Sequence, residues 1–260
     1  MSRTGRVTAA VAAAARSFLR RRTAVFFTFF FPAILVGIFG VLVGTQPTGG
    51  GLFAEPPGYY LPGYLAVVVL FTPLTRVGSE LARHRDGNRF EKLATTPLRR
   101  WEWLFAQTLV NVGVIGGAGL LIVALVGAFT GATITVEPDL LLLVPFVAAG
   151  VALFCGFGAV LGRVADSQDG VVAASNGVAL PLLFLSETFV PPALLPAWFR
   201  PALQFSPLSY FARGVRAVTY AEAEALVGDP TTAAVWNLLV LSTLAVAFFI
   251  VGAAAVPRTD

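Results

Sequence analysis

Six stretches of the chain run on with hardly a charged side chain: residues 24–44, 59–81, 103–130, 140–161, 171–189 and 232–256. About 20 such residues wound as a helix cross the roughly 30 Å hydrocarbon core of a bilayer. Arg76 and Glu80 weaken the end of the second stretch, and Glu187 the end of the fifth. The runs are continuously apolar rather than alternating, so spanning helices are expected, not barrel strands. A water-soluble fold is excluded by the same feature on the scale of the whole chain. Of 260 residues 57% are hydrophobic and only 12% charged, too few to clothe a soluble domain in polar groups. Disorder is excluded as well, because disordered chains are poor in apolar residues.

The basic residues set the orientation. With six crossings both termini lie on one side, and that side collects 15 of the 18 lysines and arginines. They are Arg3, Arg6, Arg16 and the run Arg20-Arg21-Arg22; the group from Arg76 to Arg100 around the first returning loop; and Arg163 and Arg258. The other side keeps Arg200, Arg213 and Arg216. The crowded side reads as cytoplasmic, which predicts a multi-pass protein of the cytoplasmic membrane with both termini inside. The net charge of +4 then reports topology and contact with anionic lipid, not a nucleic-acid partner. The arginines before residue 24 imitate a signal peptide, but the apolar run behind them is too long for one, and an uncleaved first span is expected.

Three segments are not spans. In residues 7–22, Val7, Val11, Ala14 and Phe18 recur at helical spacing, with Arg6, Arg16 and Arg20 largely opposite. This pattern predicts a helix lying on the cytoplasmic surface with its apolar side in lipid, or else a plain basic anchor for the first span. Residues 83–103 are the most polar part of the chain. Asn88 and Glu91 have the spacing of a helix start, which predicts a short helix from there to about Thr95. Thr96-Pro97 reads as the cap and first turn of the next helix. Trp101 and Trp103 fall where an interfacial aromatic belt belongs. The segment reads either as a docking surface for a soluble partner or as a solvated loop that fixes topology. Residues 189–229 lie on the outside, are rich in proline and aromatic residues, and are long for a structureless loop. Ser206-Pro207 predicts a helix with Leu208, Phe211, Ala212 and Val215 on one face. Glycine pairs four apart (Gly40/Gly44, Gly113/Gly117, Gly127/Gly131, Gly158/Gly162) favour close helix packing. Arg76 and Glu80, also four apart, are expected to pair.

Little in the chain points to chemistry of its own. Cys155 and His84 are each the sole residue of their type, so a disulfide within the chain, a zinc cluster and a Ser/His/Asp set are not expected. A P-loop needs G-x-x-x-x-G-K-[ST], and Lys92, the one lysine, follows Glu91. Any use of ATP requires another chain.

The residues Gly87, Glu91, Leu93, Thr96-Pro97-Leu98 and Arg100 resemble the cytoplasmic loop of the type 2 ATP-binding-cassette (ABC-2) permeases. On the other side, Phe189, Pro191, Leu195, Pro196, Trp198, Pro201 and Pro207-Leu208-Ser209-Tyr210, followed by Arg213 and Arg216, resemble that family's outer segment. The resemblance implies an all-α membrane domain of six spans over residues 1–260, pairing with a second permease subunit as a homo- or heterodimer. Separate ABC ATPase subunits, which bind ATP and Mg, would dock beneath, and the chain itself would be no enzyme and hold no cofactor. It implies a coupling helix at 86–96, with Arg89, Glu91, Lys92 and Leu93 at the ATPase and Thr96, Pro97 and Arg100 shaping the link to the third span. It also implies an outer lid over 189–229, including Phe189, Pro191, Pro196, Trp198, Pro207 and Tyr210. Ser186-Glu187-Thr188 departs from the family pattern, which has a small residue there. Glu187 reads either as a functional carboxylate of the pathway or as an interfacial one in water. The implied function is ATP-driven export of a hydrophobic or amphipathic cargo, of drug, lipid, glycolipid or polysaccharide class. An ion-coupled carrier and a non-transporting anchor that recruits a soluble protein are the alternatives.

Overall fold

A computed structural model describes residues 3–43, 55–87, 90–91, 95–134 and 137–257. Among these the chain is all-helical, with a lone backbone bridge between Ile134 and Tyr220 and no strand. The order is α1 (Arg3–Leu19), α2 (Arg22–Leu35, continued as a π-helix over Val36–Val43), α3 (Leu61–Asp86), α4 (Arg100–Phe129), α5 (Leu143–Val164), α6 (Gln168–Phe184), α7 (Pro207–Thr219), α8 (Ala223–Val227) and α9 (Pro230–Ala255). Short 3₁₀ turns at Pro57–Tyr60 and Pro138–Leu142 lead into α3 and α5.

Five helical stretches are long and apolar enough to cross a membrane: Arg22–Val43, Pro57–Asp86, Arg100–Phe129, Pro138–Val164 and Pro230–Ala255. The fifth expected span, 171–189, is the 17-residue α6. It stops early because the next residues cap it. Ser186 and Thr188 both donate their hydroxyls to the Leu183 carbonyl, at 2.9 and 2.7 Å, and so satisfy an acceptor that another helical turn would have used. Even so, Val171 near the start of α6 lies against Gly78, and the Thr188 carbonyl just past its end lies against Gly63.

The helix α5 is the central plank, with α3 on one side and α9 on the other. Glycine makes both contacts possible. A Cβ on Gly158 would stand 2.5 Å from the Leu74 carbonyl oxygen, and Gly162 packs on the backbone of Gly78. On the opposite side Gly156 meets the backbone of Phe248, and a Cβ on Gly252 would stand 2.5 Å from the Gly156 carbonyl oxygen. Of the glycine pairs in the sequence, Gly158/Gly162 therefore brings backbones together. Gly113 faces open space, Gly117 only touches the Phe29 ring at ordinary distance, and Gly44 lies outside the described residues. Gly131, at φ +70°, follows the end of α4 in a left-handed conformation that stops the helix.

The first helix corrects one expectation. Its stripe faces protein, not lipid: α1 packs on α4, with Ala14 and Phe18 buried. The reason is a fork. Arg6 donates through Nε (3.3 Å) and Nη2 (2.8 Å) to the two oxygens of Glu102, which is fully buried near the start of α4. The same carboxylate accepts the Arg99 backbone N–H at 2.8 Å. That bond fixes the helix start at Arg99–Arg100 rather than at Thr96-Pro97, because the group reaching back to cap it is Glu102.

Gly158→Ala is expected to destabilise the protein by about 1–3 kcal/mol, since the backbone of α3 cannot yield to the added methyl. Gly113→Ala, which meets open space, is expected to be neutral or mildly stabilising. Thermal unfolding of both variants in detergent checks the contrast.

Candidate functional site

The residues singled out by the sequence gather at the two ends of the bundle. The end bearing the chain termini is identified by two contacts. Arg6 of α1 meets Glu102, and Arg100 Nη1 donates to the Ala254 carbonyl at the end of α9 at 3.2 Å. Arg85, near the end of α3, does the same for α5, donating to the carbonyls of Gly162, Arg163 and Ala165 at 3.5, 3.3 and 2.7 Å. A guanidinium at a helix C-terminus satisfies orphan carbonyls and meets the negative end of the dipole.

Between these clasps lies the polar loop. Of the 86–96 segment, Phe90 and Glu91 are described and helical, whereas Arg89, Lys92 and Leu93 lie outside the described residues, as does the cap residue Asn88. Phe90 is buried against the rings of His84 (5.5 Å) and Trp103 (5.9 Å). Trp103 therefore anchors the loop from below instead of lying in an interfacial belt, while Trp101 remains exposed. Glu91, Thr96 and Pro97 are exposed.

The expected Arg76–Glu80 pair is not formed. Arg76 donates to Asn111 Oδ1 at 3.2 Å and lies 4.3 Å from the centre of the Phe18 ring. Glu80 instead takes Arg83, Arg21 (3.3 Å) and His84 (3.6 Å). The two residues lie one helical turn apart, and neighbours from other helices (Asn111 and Phe18 for Arg76, Arg21 for Glu80) take up their charges.

The opposite end is built around Glu187. Its side chain is neither free nor in water: it is buried, and Arg213 of α7 holds it through Nε at 2.9 Å and through Nη2. Arg216, one turn further along α7, is also buried. It donates to the carbonyls of Tyr59 (3.2 Å) and Glu187 (2.7 Å), and its guanidinium stacks 3.9 Å from the Tyr59 ring centre. The Glu187 bond keeps Arg213 firmly protonated, whereas burial pulls Arg216 below the usual arginine value. These contacts tie α7 to the end of α6 and the start of α3.

The outer segment wraps this cluster. Pro191 is buried, and Phe189 packs edge-to-face on Tyr64 at 5.9 Å. Two 3₁₀ turns follow, at Pro192–Leu194 and Arg200–Phe205. Pro196 and Trp198 stand exposed between them. Pro207 opens α7, whose Leu208, Phe211, Ala212 and Val215 are all fully buried. Tyr210 donates its hydroxyl to the Gln204 carbonyl at 2.8 Å, closing the second turn onto α7. A cavity of about 560 Å³ opens here, lined by Tyr59, Glu187, Arg200, Arg213 and Arg216 among apolar residues.

Sequence reasoning did not assign Arg6, Glu102, Arg85, Arg216 or Tyr59 to these contacts. Arg213 and Arg216 were legible as an arginine pair three apart in an apolar segment, beside a solitary carboxylate, but their partners were not. No group of three His, Cys, Asp or Glu side chains converges among the described residues. The arrangement holds helix ends together and presents an exposed loop at one end and a charged cavity at the other.

The sequence matches the profile of the ABC-2 type transporter family over residues 6–220. It is also 29% identical over 183 residues to the daunorubicin resistance ABC transporter permease protein DrrB1 of Streptomyces coeruleorubidus, an alignment covering 67% of this chain and 62% of the relative. The family match takes in both ends of the bundle, from Arg6 through the polar loop to Tyr220. The chain therefore belongs to the ABC-2 type transporter family, as a multi-pass membrane permease of the kind that lacks an ATPase domain.

Proposed function

We propose that this permease forms one half of the pathway of an ATP-driven exporter, with a second permease subunit beside it. Separate ABC ATPase subunits, which bind ATP and Mg, dock at the end that carries the termini. The observation that carries this reading is the family match across residues 6–220, joined to a polar loop whose Phe90 is buried in the bundle while Glu91 stays exposed. A loop that is only a tether needs no buried aromatic anchor. In this reading Arg89, Glu91, Lys92 and Leu93 meet the ATPase, and its movement passes through Phe90 to Trp103 and α4. Arg100, held on the end of α9, carries it to the last helix, with Thr96 and Pro97 shaping the link.

The placement of α6 supports six crossings. Its run from Val171 to Thr188 matches the stretch of α3 from Gly78 back to Gly63, so the shorter helix and its capped end cover the same depth. The crowding of arginine at the end with the termini supports a cytoplasmic placement of that end. The cargo is hydrophobic or amphipathic, in keeping with a relative named for resistance to a drug. The exposed ring row of α2, Phe26, Phe27, Phe30 and Phe31, suits lipid or the second permease subunit. Glu187, Phe189, Pro191, Pro196, Trp198, Pro207 and Tyr210 belong to the outer lid.

Glu91→Arg is expected to lower cargo-stimulated ATPase activity several-fold in the reconstituted complex while leaving membrane insertion intact. Unchanged stimulation removes Glu91 from the docking surface. Phe90→Ala is expected to uncouple ATP hydrolysis from transport without detaching the ATPase, checked by co-purification beside transport in vesicles. Glu187→Gln is expected to lower the unfolding midpoint, at a cost of roughly 1–3 kcal/mol, below that of a fully buried pair because Arg213 reaches solvent. It is also expected to slow transport. A variant equal to wild type in both melting and transport overturns the lid assignment of Glu187.

A further inference from the structure

The cavity at the outer end holds more positive charge than the protein neutralises. Three guanidinium groups line it, those of Arg200, Arg213 and Arg216, against one carboxylate, Glu187. Each guanidinium is pinned through the same two nitrogens. Arg200 donates through Nε to the Leu195 carbonyl (3.1 Å) and through Nη2 to that of Ala193 (3.3 Å). Arg213 spends Nε and Nη2 on Glu187, and Arg216 spends them on the carbonyls of Tyr59 and Glu187. No hydrogen bond is made by the Nη1 of any of the three among the described residues. The Glu187 charge is already matched by Arg213, so Arg216 is buried with carbonyls and a ring around it but no counter-ion of its own. A buried cation is most stable when paired with an anion, and here carbonyls and a ring take that place.

The remaining wall is mostly apolar, with Leu203, Ala217, Leu226 and Val227 beside Gln204 and Tyr59. About 560 Å³ is far more than a single inorganic ion fills and is the size of a site for a small organic group. We propose that this cavity binds the phosphate-bearing anionic head of an amphipathic molecule, with Arg200, Arg213 and Arg216 donating from Nη1 and the apolar wall taking the first carbons of its tail. Guanidinium donors suit phosphate oxygens, and three arginines fixed in place bind without losing side-chain freedom. The proposal rests on the outer placement of this end proposed above, but not on coupling to an ATPase.

The test is retention of lipid by the full chain in detergent, counted by native mass spectrometry with no ATPase present. Short-chain phosphatidylglycerol is expected to be held about tenfold more tightly than phosphatidylcholine of the same chain length, because both phosphates accept the same bonds but the choline cation is repelled by the three guanidinium groups. Arg200→Gln, at the exposed rim, is expected to reduce that preference several-fold. Glu187→Gln, which frees Arg213, is expected to increase it, a sign that mere loosening of the fold does not produce. Millimolar inorganic phosphate that displaces the lipid assigns recognition to the phosphate group itself, free or lipid-borne; phosphate without effect assigns it to the intact head. Equal retention of the two lipids, or a preference untouched in Arg200→Gln, overturns the proposal. Failure of ATP-driven transport would leave this binding result unchanged, so the two readings fall separately.

Discussion

Backbone-to-backbone contact along α5 is the constraint on which the rest of the molecule depends. In lipid no hydrophobic gain accompanies the meeting of two apolar helices, so association relies on close fit. Gly158 and Gly162 supply that fit toward α3, and Gly156 with Gly252 supplies it toward α9. Once the three axes are that close, the helix ends come within reach of one another. Arg85 can then cap α5 from α3, and Arg100 can cap α9 from α4. With larger residues at those glycines the helices would stand apart and the carbonyls at both ends would lose their donors.

The charged residues divide their labour by depth. At the termini-bearing end, arginine satisfies helix ends and grips the buried Glu102. At the other end, Arg213 and Arg216 bind the end of α6 to α7 and to the start of α3. Nearly every one of these bonds uses the planar fork of the guanidinium, with two nitrogens directed at two oxygens. This gives a physical reason for a chain with 18 basic residues of which Lys92 is the one lysine. A lysine ammonium is a point charge that holds one acceptor well and spans two carbonyls poorly.

The two ends differ in what they leave uncommitted. At one end the buried ring of Phe90 joins an exposed loop to Trp103 at the start of α4 and to His84 at the end of α3. At the other, a folded-in segment of 3₁₀ turns and α7 closes over a charged cavity. The rigid central plank lies between them.

The sequence by itself determined that the chain crosses a membrane several times, which stretches gather the arginines, and which residues make up the polar loop and the proline-rich segment after α6. Those conclusions depend on the length and continuity of apolar runs, which are properties of neighbouring residues. It also made the start of α7 legible at Ser206-Pro207, because a first-turn proline is a local signal. Only the tertiary structure decided that Glu102 belongs to Arg6, that Arg76 turns away from Glu80, that the stripe of α1 faces protein, and that Gly156 matters while Gly113 does not. Each of these depends on what a neighbouring helix does or does not bring up. Spacing along one helix fixes which side chains share a face, but the rotation and approach of the neighbouring helix decide what that face meets.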